Sequence, residues 1–278
     1  MSMLADRVVL MSGGSRGIGL AIAKKVAAEG AKIAIVAKTD QPHPKLPGTI
    51  HTAAAEIEEA GGEALAILGD VRDDAQVGAA VAQAVQRFGG IDIVVNNASA
   101  IDLSSMRELE PKRFDLMQQI NARGTFVLTR AALPYLRESD HAHVLTLSPP
   151  LSADPKWLAG HAAYTLSKMG MTMITLGLAA DEAEAGIAAN CLWPRTIIAT
   201  AAVANLLGGD EAMRHARTPA IYADAAAEVL RRDPRSCTGN AFIDDEVLAE
   251  AGITDLDHFA AADGAELQLD LFVDGWPS

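Results

Sequence analysis

The chain has 278 residues, half of them hydrophobic by type, with 23 Lys and Arg against 36 Asp and Glu for a formal net charge of -13. That length can bury a large core and carries no Pro/Gly/Ser linker, so one domain over residues 1–278 is expected, with 246–278 as a C-terminal extension. The acidic balance argues against nucleic acid and anionic lipid as partners, and no uninterrupted apolar run of about 18 residues is present to span a membrane.

Seven short apolar runs recur in chain order: RVVLMSG, AKIAIVAK, EALAILGD, GIDIVVNN, AHVLTLS, GIAANCLWP and GNAFID. Their nearly continuous apolar character is what strands need when helices cover both faces of a sheet. The segments between them include 17–29, 49–60, 73–88, 111–136, 160–183 and 219–232, several rich in alanine and long enough for crossover helices. Right-handed crossovers then give an α/β fold, a doubly wound and mostly parallel seven-stranded sheet with helices on both faces. Two stretches break the rhythm, 39–48 with its three prolines and 192–209, and loops of that length are usually functional or mobile.

Directly after the first strand comes Ser12-Gly13-Gly14-Ser15-Arg16-Gly17-Ile18-Gly19, leading into the helical pattern LAIAKKVAAEG. Glycines at 13, 17 and 19 permit a tight turn, close approach of backbone to a pyrophosphate, and close packing of helix on strand. The helix start then offers unpaired N–H groups and the positive end of a dipole to phosphates. A plain structural turn is the alternative reading, and the strand–turn–helix setting at the N-terminus favours the dinucleotide.

Tyr164 and Lys168 stand four apart on an expected helix, so they share a face about one turn apart. An ammonium beside a phenol favours the phenolate and brings the group toward a pKa suited to proton transfer. Ser148 ends the fifth strand, at the edge where doubly wound sheets place their ligands, and its hydroxyl is a candidate to polarise a carbonyl. Pro149 and Pro150 stop that strand.

The three-residue interval between the first two glycines resembles the short-chain dehydrogenase/reductase family, and the resemblance extends over roughly residues 5–245. Asp70-Val71 falls where that family contacts adenine, Asn96-Asn97-Ala98-Ser99 stands for its Asn-Asn-Ala-Gly, and Asn121, Ser148, Tyr164 and Lys168 follow in order. Within the family, KTDQPHPKLPGTIHTA and LSPPLSADPKW are similar to the hydroxysteroid dehydrogenase-like protein 2 subgroup, whose members often add a sterol-carrier-type domain that is not expected in this sequence. The resemblance implies Ser148, Tyr164, Lys168 and Asn121 as catalytic residues, with Asn121 or a kink in its helix holding a water that links Lys168 to solvent. It implies a cofactor site of Gly13, Ser15, Arg16, Gly17, Ile18, Gly19, Lys38, Asp70, Val71, Asn97 and Ala98, joined by Tyr164, Lys168, Pro194 and Ile197.

A cofactor with a free 2′-hydroxyl would call for an acidic residue at the end of the second strand, but that strand ends Val36-Ala37-Lys38. Arg16 and Lys38 together suit a 2′-phosphate, so NADP(H) is expected over NAD(H), with nearby Asp40 counting slightly against it. Lys45 and His51 offer further but unassigned contacts. Arg195 replaces the family's glycine after Pro194 and is read as leaning toward a cofactor or substrate contact.

The interval from Ser148 to Tyr164 exceeds the family's, so the loop Leu151 to Gly160 is expected to form part of the substrate wall, with Trp157 either lining a pocket or filling space. His161 reads as a helix-start residue, and His141 and His143 as surface residues flanking the fifth strand. No metal is expected. Cys191 and Cys237 lack ligand spacing and read as buried, reduced thiols, which with the missing leader pattern points to the cytoplasm. The partners expected are a hydrophobic, lipid- or steroid-like alcohol or ketone and, through alanine-rich segments 111–136 and 160–183, further copies of the chain as a homodimer or homotetramer. The competing reading is a weakly catalytic NADP(H)-binding module that regulates or interacts.

Overall fold

Each of the seven apolar runs forms a strand, and every strand pair is parallel. The structure is a computed structural model that describes residues 2–42, 47–207 and 209–276, so Lys45 lies outside the described residues. In chain order the elements are β1 (Val8–Ser12), α1 (Gly17–Ala27), β2 (Lys32–Ala37), α2 (Ile50–Glu59), β3 (Glu63–Leu68), α3 (Asp74–Phe88) and β4 (Ile93–Asn96). Then come α4 (Pro111–Gln118), a π-helical turn (Gln119–Arg123), α5 (Gly124–Leu136), β5 (His143–Leu147), α6 (Pro155–Leu158), α7 (Ala162–Asp181) and β6 (Ala188–Trp193). The chain continues with α8 (Ala201–Leu207), α9 (Asp210–Arg214), α10 (Pro219–Arg231), β7 (Ala241–Ile243) and α11 (Asp244–Glu250).

The sheet order β3-β2-β1-β4-β5-β6-β7 reverses between β1 and β4, which opens a crevice at the C-terminal ends of those strands. Strands β1, β4, β5 and β6 are buried along their whole length because helices cover both faces. On one face, α1 turns Ile22, Ala23 and Val26 inward against Ala223, Ala226 and Ala227 of α10, small residues that let the two helices approach. On the other, Val77, Val81 and Ala84 of α3 pack with Leu128 and Ala132 of α5. Each fully buried aliphatic side chain of this kind contributes roughly 1.5–3 kcal/mol.

Local signals fix the helix ends. Thr49 and Thr52 exchange side chain-to-backbone bonds at the start of α2, and Asp73 accepts from the Ala75 and Gln76 amides at 2.9 and 3.1 Å at the start of α3. Gly89 ends α3 at a φ of 93°, a left-handed conformation that costs glycine nothing.

Three expectations need correction. The single helix expected over 111–136 is interrupted by the π-helical turn at Gln119–Arg123. The segment 192–209 contains α8 rather than irregular chain alone. His141 and His143 are buried, because their rings cap carbonyls at the end of α10: Nε2 of His141 lies 2.8 Å from the Leu230 oxygen and Nε2 of His143 lies 3.2 Å from that of Arg232. The segment expected as an extension, 246–278, begins within α11 and folds back over the crevice.

That return is stitched by backbone. The Ile197 amide donates to the Gln268 carbonyl at 3.0 Å, the Gln268 amide to His215 at 2.9 Å, and the Asp270 amide to Arg195 at 3.0 Å. Phe272 then adopts a φ of 69°, uncommon for a side chain this bulky, and its ring sits among Trp157, His161, Tyr164 and Trp193 at 5.8–6.3 Å. Among the described residues, no helix is long and apolar enough to cross a membrane.

Candidate active site

A cleft of about 740 Å³ lies at the C-terminal edge of the sheet, where the strand order reverses. Gly13, Ser15, Arg16, Gly17 and Ile18 form one stretch of its wall. Gly13 and Gly17 have φ of 75° and 55°, so the turn depends on residues that tolerate the left-handed region. Gly19 is required by packing: a Cβ there would lie 2.5 Å from Nδ2 of Asn97. Asn97 in turn holds the turn in place, donating to the Ser12 and Gly13 carbonyls at 3.0 and 2.8 Å. Ser12, which sequence reading did not single out, accepts from the Asn97 and Ala98 amides at 3.2 and 3.1 Å.

No side chain caps the N-terminus of α1, and no acidic residue occupies its first turn. Its opening N–H groups and dipole therefore present an unblocked positive end beside the cleft, which fits the phosphates of a dinucleotide. Farther along, Lys38, Asp70 and Val71 line the wall. The Asp70 carboxylate is gripped by Arg72 at 2.5–3.0 Å and held well below the usual range, first by that hydrogen bond. Among the described residues, Lys38 and Arg16 are the cations on this stretch of the wall, Arg16 also donating to the Gly48 carbonyl at 3.1 Å, and Asp40 is not part of it. His51 is exposed on α2, away from the cleft.

Tyr164 and Lys168 line the same cleft from α7, together with Pro194 and Ile197. Among the described residues nothing hydrogen-bonds the Tyr164 hydroxyl, and Nζ of Lys168 donates to the Leu147 carbonyl at 2.9 Å while lying 5.3 Å from the centre of the Trp193 ring. The expectation that Lys168 draws the phenol down does not hold in this arrangement. Burial pushes Tyr164 upward, and the Asp270 charge adds in the same direction. Burial also pushes the Lys168 ammonium down to about 8, opposed by Asp270 and Cys191.

Ser148 and Asn121 are not on the wall. The Ser148 hydroxyl is wholly enclosed and accepts from Oγ1 of Thr172 at 2.9 Å, inside a layer of hydroxyls between β5 and α7 that also borders Cys191. It does not reach the cleft in this structure, which differs from the placement expected for it. The strand's side-chain alternation explains this: Leu147 meets the cleft and its neighbour turns inward. Asn121 sits at the centre of the π-helical turn and clamps Ala100, accepting from its amide at 2.7 Å and donating to its carbonyl at 2.9 Å, while also donating to Oγ of Ser167 at 2.8 Å. It thus ties the chain after β4 to α7, one residue from Lys168.

Arg195 is also turned away. Its Nε donates to Asp245 at 3.0 and 3.1 Å, Nη2 to Glu246 at 2.5 Å and Nη1 to the Gly275 carbonyl at 2.7 Å, so a buried guanidinium finds its counter-charge in α11 and not in a ligand. The loop 151–160 does not line the cleft either, and Trp157 packs on Phe272, 5.8 Å between ring centres. His161 immediately precedes α7, as expected. The wall that the loop was expected to form is supplied by Ile101, Leu103, Trp193 and Ile198, with Gln268 to Leu271 returning from the C-terminal segment. Asp270 is the functional candidate that sequence reading missed. An acid inside the apolar string LQLDLFV was the available signal.

Known proteins bear on this geometry. The short chain dehydrogenase family model matches residues 7–209. Hydroxysteroid dehydrogenase-like protein 2 of Xenopus tropicalis is 51% identical over 274 residues, covering 99% of this chain, and the human protein of that name is 50% identical with the same coverage. The chain spans 65% of the length of these two relatives. A short chain dehydrogenase crystal structure from Mycobacterium thermoresistibile is 56% identical with a TM-score of 0.93, covering 98% of this chain and 96% of its own. A blue fluorescent protein from a metagenomic library, solved in complex with NADPH, is 30% identical with a TM-score of 0.74, covering 86% of this chain and 96% of its own. On the family match and these identities, carried by a glycine turn and a Tyr–Lys helix that open on one cleft, the chain belongs to the short-chain dehydrogenase family of oxidoreductases.

Proposed function

We propose that the chain is an NADP(H)-dependent oxidoreductase that interconverts a hydrophobic, lipid- or steroid-like ketone and alcohol, with Tyr164 as proton donor and acceptor. The observation that carries the reading is that Tyr164 and Lys168 share one cleft wall with the glycine turn, with the Tyr164 hydroxyl left without a partner among the described residues. Arg16 and Lys38 would hold the 2′-phosphate, the uncapped start of α1 the pyrophosphate, and Asp70, Val71, Asn97 and Ala98 the adenosine end and the middle of the nucleotide. The bound cofactor supplies or takes a hydride.

Tyr164 gives its proton to the carbonyl oxygen in reduction and takes it back in oxidation. Lys168 anchors the nicotinamide ribose and returns the proton from solvent, with Asn121 holding the neighbouring backbone. Ile101, Leu103, Trp193 and Leu271 exclude water and select an apolar substrate. The reading includes self-association through α5 and α7, whose Phe126, Leu166 and Met173 are exposed, and a cytoplasmic setting in which free Cys191 and Cys237 stay reduced.

The withdrawn Ser148 favours a second reading, a cofactor-binding module with little turnover. One experiment separates the two: NADPH binding by fluorescence, and turnover on a panel of lipid-like ketones, for the wild type and Tyr164→Phe. Under the enzyme reading the variant keeps its NADPH affinity and loses on the order of 10²–10⁴-fold in kcat. Equal rates in both proteins would overturn it.

A further inference from the structure

The acidic wall residue Asp270 arrives late in the chain and faces the proton-transfer pair. The stitching of 268–270 onto His215, Arg195 and Ile197 carries it there, and the indole of Trp193 fixes the next residue by donating to the Leu271 carbonyl at 2.7 Å. Oδ1 of Asp270 accepts from the Leu271 amide at 2.6 Å, and among the described residues no hydrogen bond engages Oδ2. The side chain is partly open to the cleft. Of the two acids on the wall, Asp70 is neutralised by Arg72, whereas no cation among the described residues pairs directly with Asp270. Lys168, across the same space, likewise has only a carbonyl and an aromatic face for company among the described residues. Two opposite charges enclosed this way interact over several ångströms with little screening.

We propose that Asp270 is a positioning residue of the reaction: its carboxylate holds the proton on Lys168 and on the Tyr164 hydroxyl, which sets the site at neutral pH for carbonyl reduction over alcohol oxidation. The inference rests on the function proposed above for Tyr164. A negative charge makes loss of a proton harder for an ammonium and for a phenol alike, so both effects act in one direction. In reduction the Tyr164 O–H bond breaks as the substrate O–H forms, the reduced nicotinamide nucleotide supplies the hydride for the new C–H bond, and Tyr164 is reprotonated from solvent through Lys168.

The titratable groups that feel the Asp270 charge are Tyr164 and Lys168 from α7, Tyr222 from α10 and Asp244 from the start of α11. Tyr222 is committed to the Leu192 carbonyl, and Arg195 gives Asp270 only its backbone oxygen. Burial pushes Asp270 up to about 7, the Leu271 amide pulls it back, Asp244 adds to the rise and Lys168 opposes it.

Asp270→Asn removes the charge and keeps the shape. In the cofactor-free protein, Lys168 is acetylated with acetic anhydride across a pH series and quantified by peptide mass. The midpoint falls by about one pH unit in the variant. In the enzyme assay, the pH of half-maximal alcohol oxidation moves down by a similar amount, ketone reduction at pH 7 drops about twofold, and NADPH affinity is unchanged. Asp270→Glu recovers both profiles, and Asp270→Ser serves as the neutral variant should the amide melt below the assay temperature. Coincident acetylation midpoints in the wild type and the folded neutral variant overturn the proposal. Full turnover in Tyr164→Phe would instead sink the functional reading, while the acetylation midpoint still decides whether Asp270 governs Lys168.

Discussion

Replacing Arg195 with methionine tests whether this residue serves the fold or a ligand. The guanidinium and the Asp245 carboxylate are each only 6% exposed, so the substitution strands a buried negative charge. Breaking such a pair costs about 3–5 kcal/mol. The contact with Glu246, whose side chain is 52% exposed, adds at most about 1 kcal/mol because water screens it. Loss of the bond to the Gly275 carbonyl costs about 1 kcal/mol more and frees the end of the C-terminal return. Methionine keeps most of the stem packing, so the charge term dominates. For a domain of this size each kcal/mol shifts the melting temperature by about 2–4 °C, so a total loss of about 4–7 kcal/mol places the variant roughly 8–28 °C below the wild type by calorimetry. NADPH titration well below that melt should give the wild-type affinity. A variant that melts with the wild type yet binds NADPH at least about tenfold more weakly would refute the placement and restore a ligand role for Arg195.

Lys38→Ala removes a cation from the wall where a 2′-phosphate would rest, so NADPH affinity should fall about tenfold or more while NADH affinity holds; parallel losses would count against NADP(H) preference. Ser148→Ala should change kcat/KM for a ketone substrate less than about threefold, against the 10²–10³ that removal of an oxyanion donor costs. Its stability should drop by only about 1 kcal/mol, because Thr172 keeps its bond to the Pro149 carbonyl at 2.7 Å. Burial, with His141 adding, pushes His143 down to about 3, whereas an unfolded histidine titrates near 6.5. The unfolded state therefore binds the extra proton between those values, and the wild type loses stability as pH falls from about 6.5 toward 3, by up to about 1.4 kcal/mol per unit. His143→Gln lacks that loss, so the stability gap between the two proteins in urea should narrow from pH 8 to pH 5, and a constant gap would contradict a neutral His143.

What the sequence made legible is what short-range pattern encodes. Strand runs, the glycine turn and the i, i+4 placement of Tyr164 and Lys168 depend on neighbours within a few residues, and all three stand where the pattern puts them. Ser148 misled because strand alternation alone does not say which of two adjacent residues meets the cleft, and Leu147 does. Arg195 and His143 misled because their partners, Asp245 and the Arg232 carbonyl, are distant in sequence and nothing local announces them. The π-helical turn at 119–123 leaves no mark in helical periodicity, which tolerates one inserted residue; the family resemblance, with its kink at Asn121, was the signal that pointed there, and Asn121 clamps Ala100 from it.

The match to the short chain dehydrogenase model ends at residue 209, but the cleft does not. Four consecutive wall residues, Gln268 to Leu271, come from beyond it, and Phe272 ties them to the ring of Tyr164 at 6.3 Å. Under the proposed function, a sheet edge and one helix supply proton transfer, and the returning segment supplies part of the surface that meets the substrate. Tyr164 cannot shift without disturbing Phe272, and Phe272 cannot shift without disturbing Trp157 and Trp193, so the returning segment and the proton-transfer helix are mechanically one unit. Substitutions at 268–272 should therefore alter which ketone is accepted and how fast it turns over together, whereas substitutions in the glycine turn should alter cofactor affinity with little change in substrate preference.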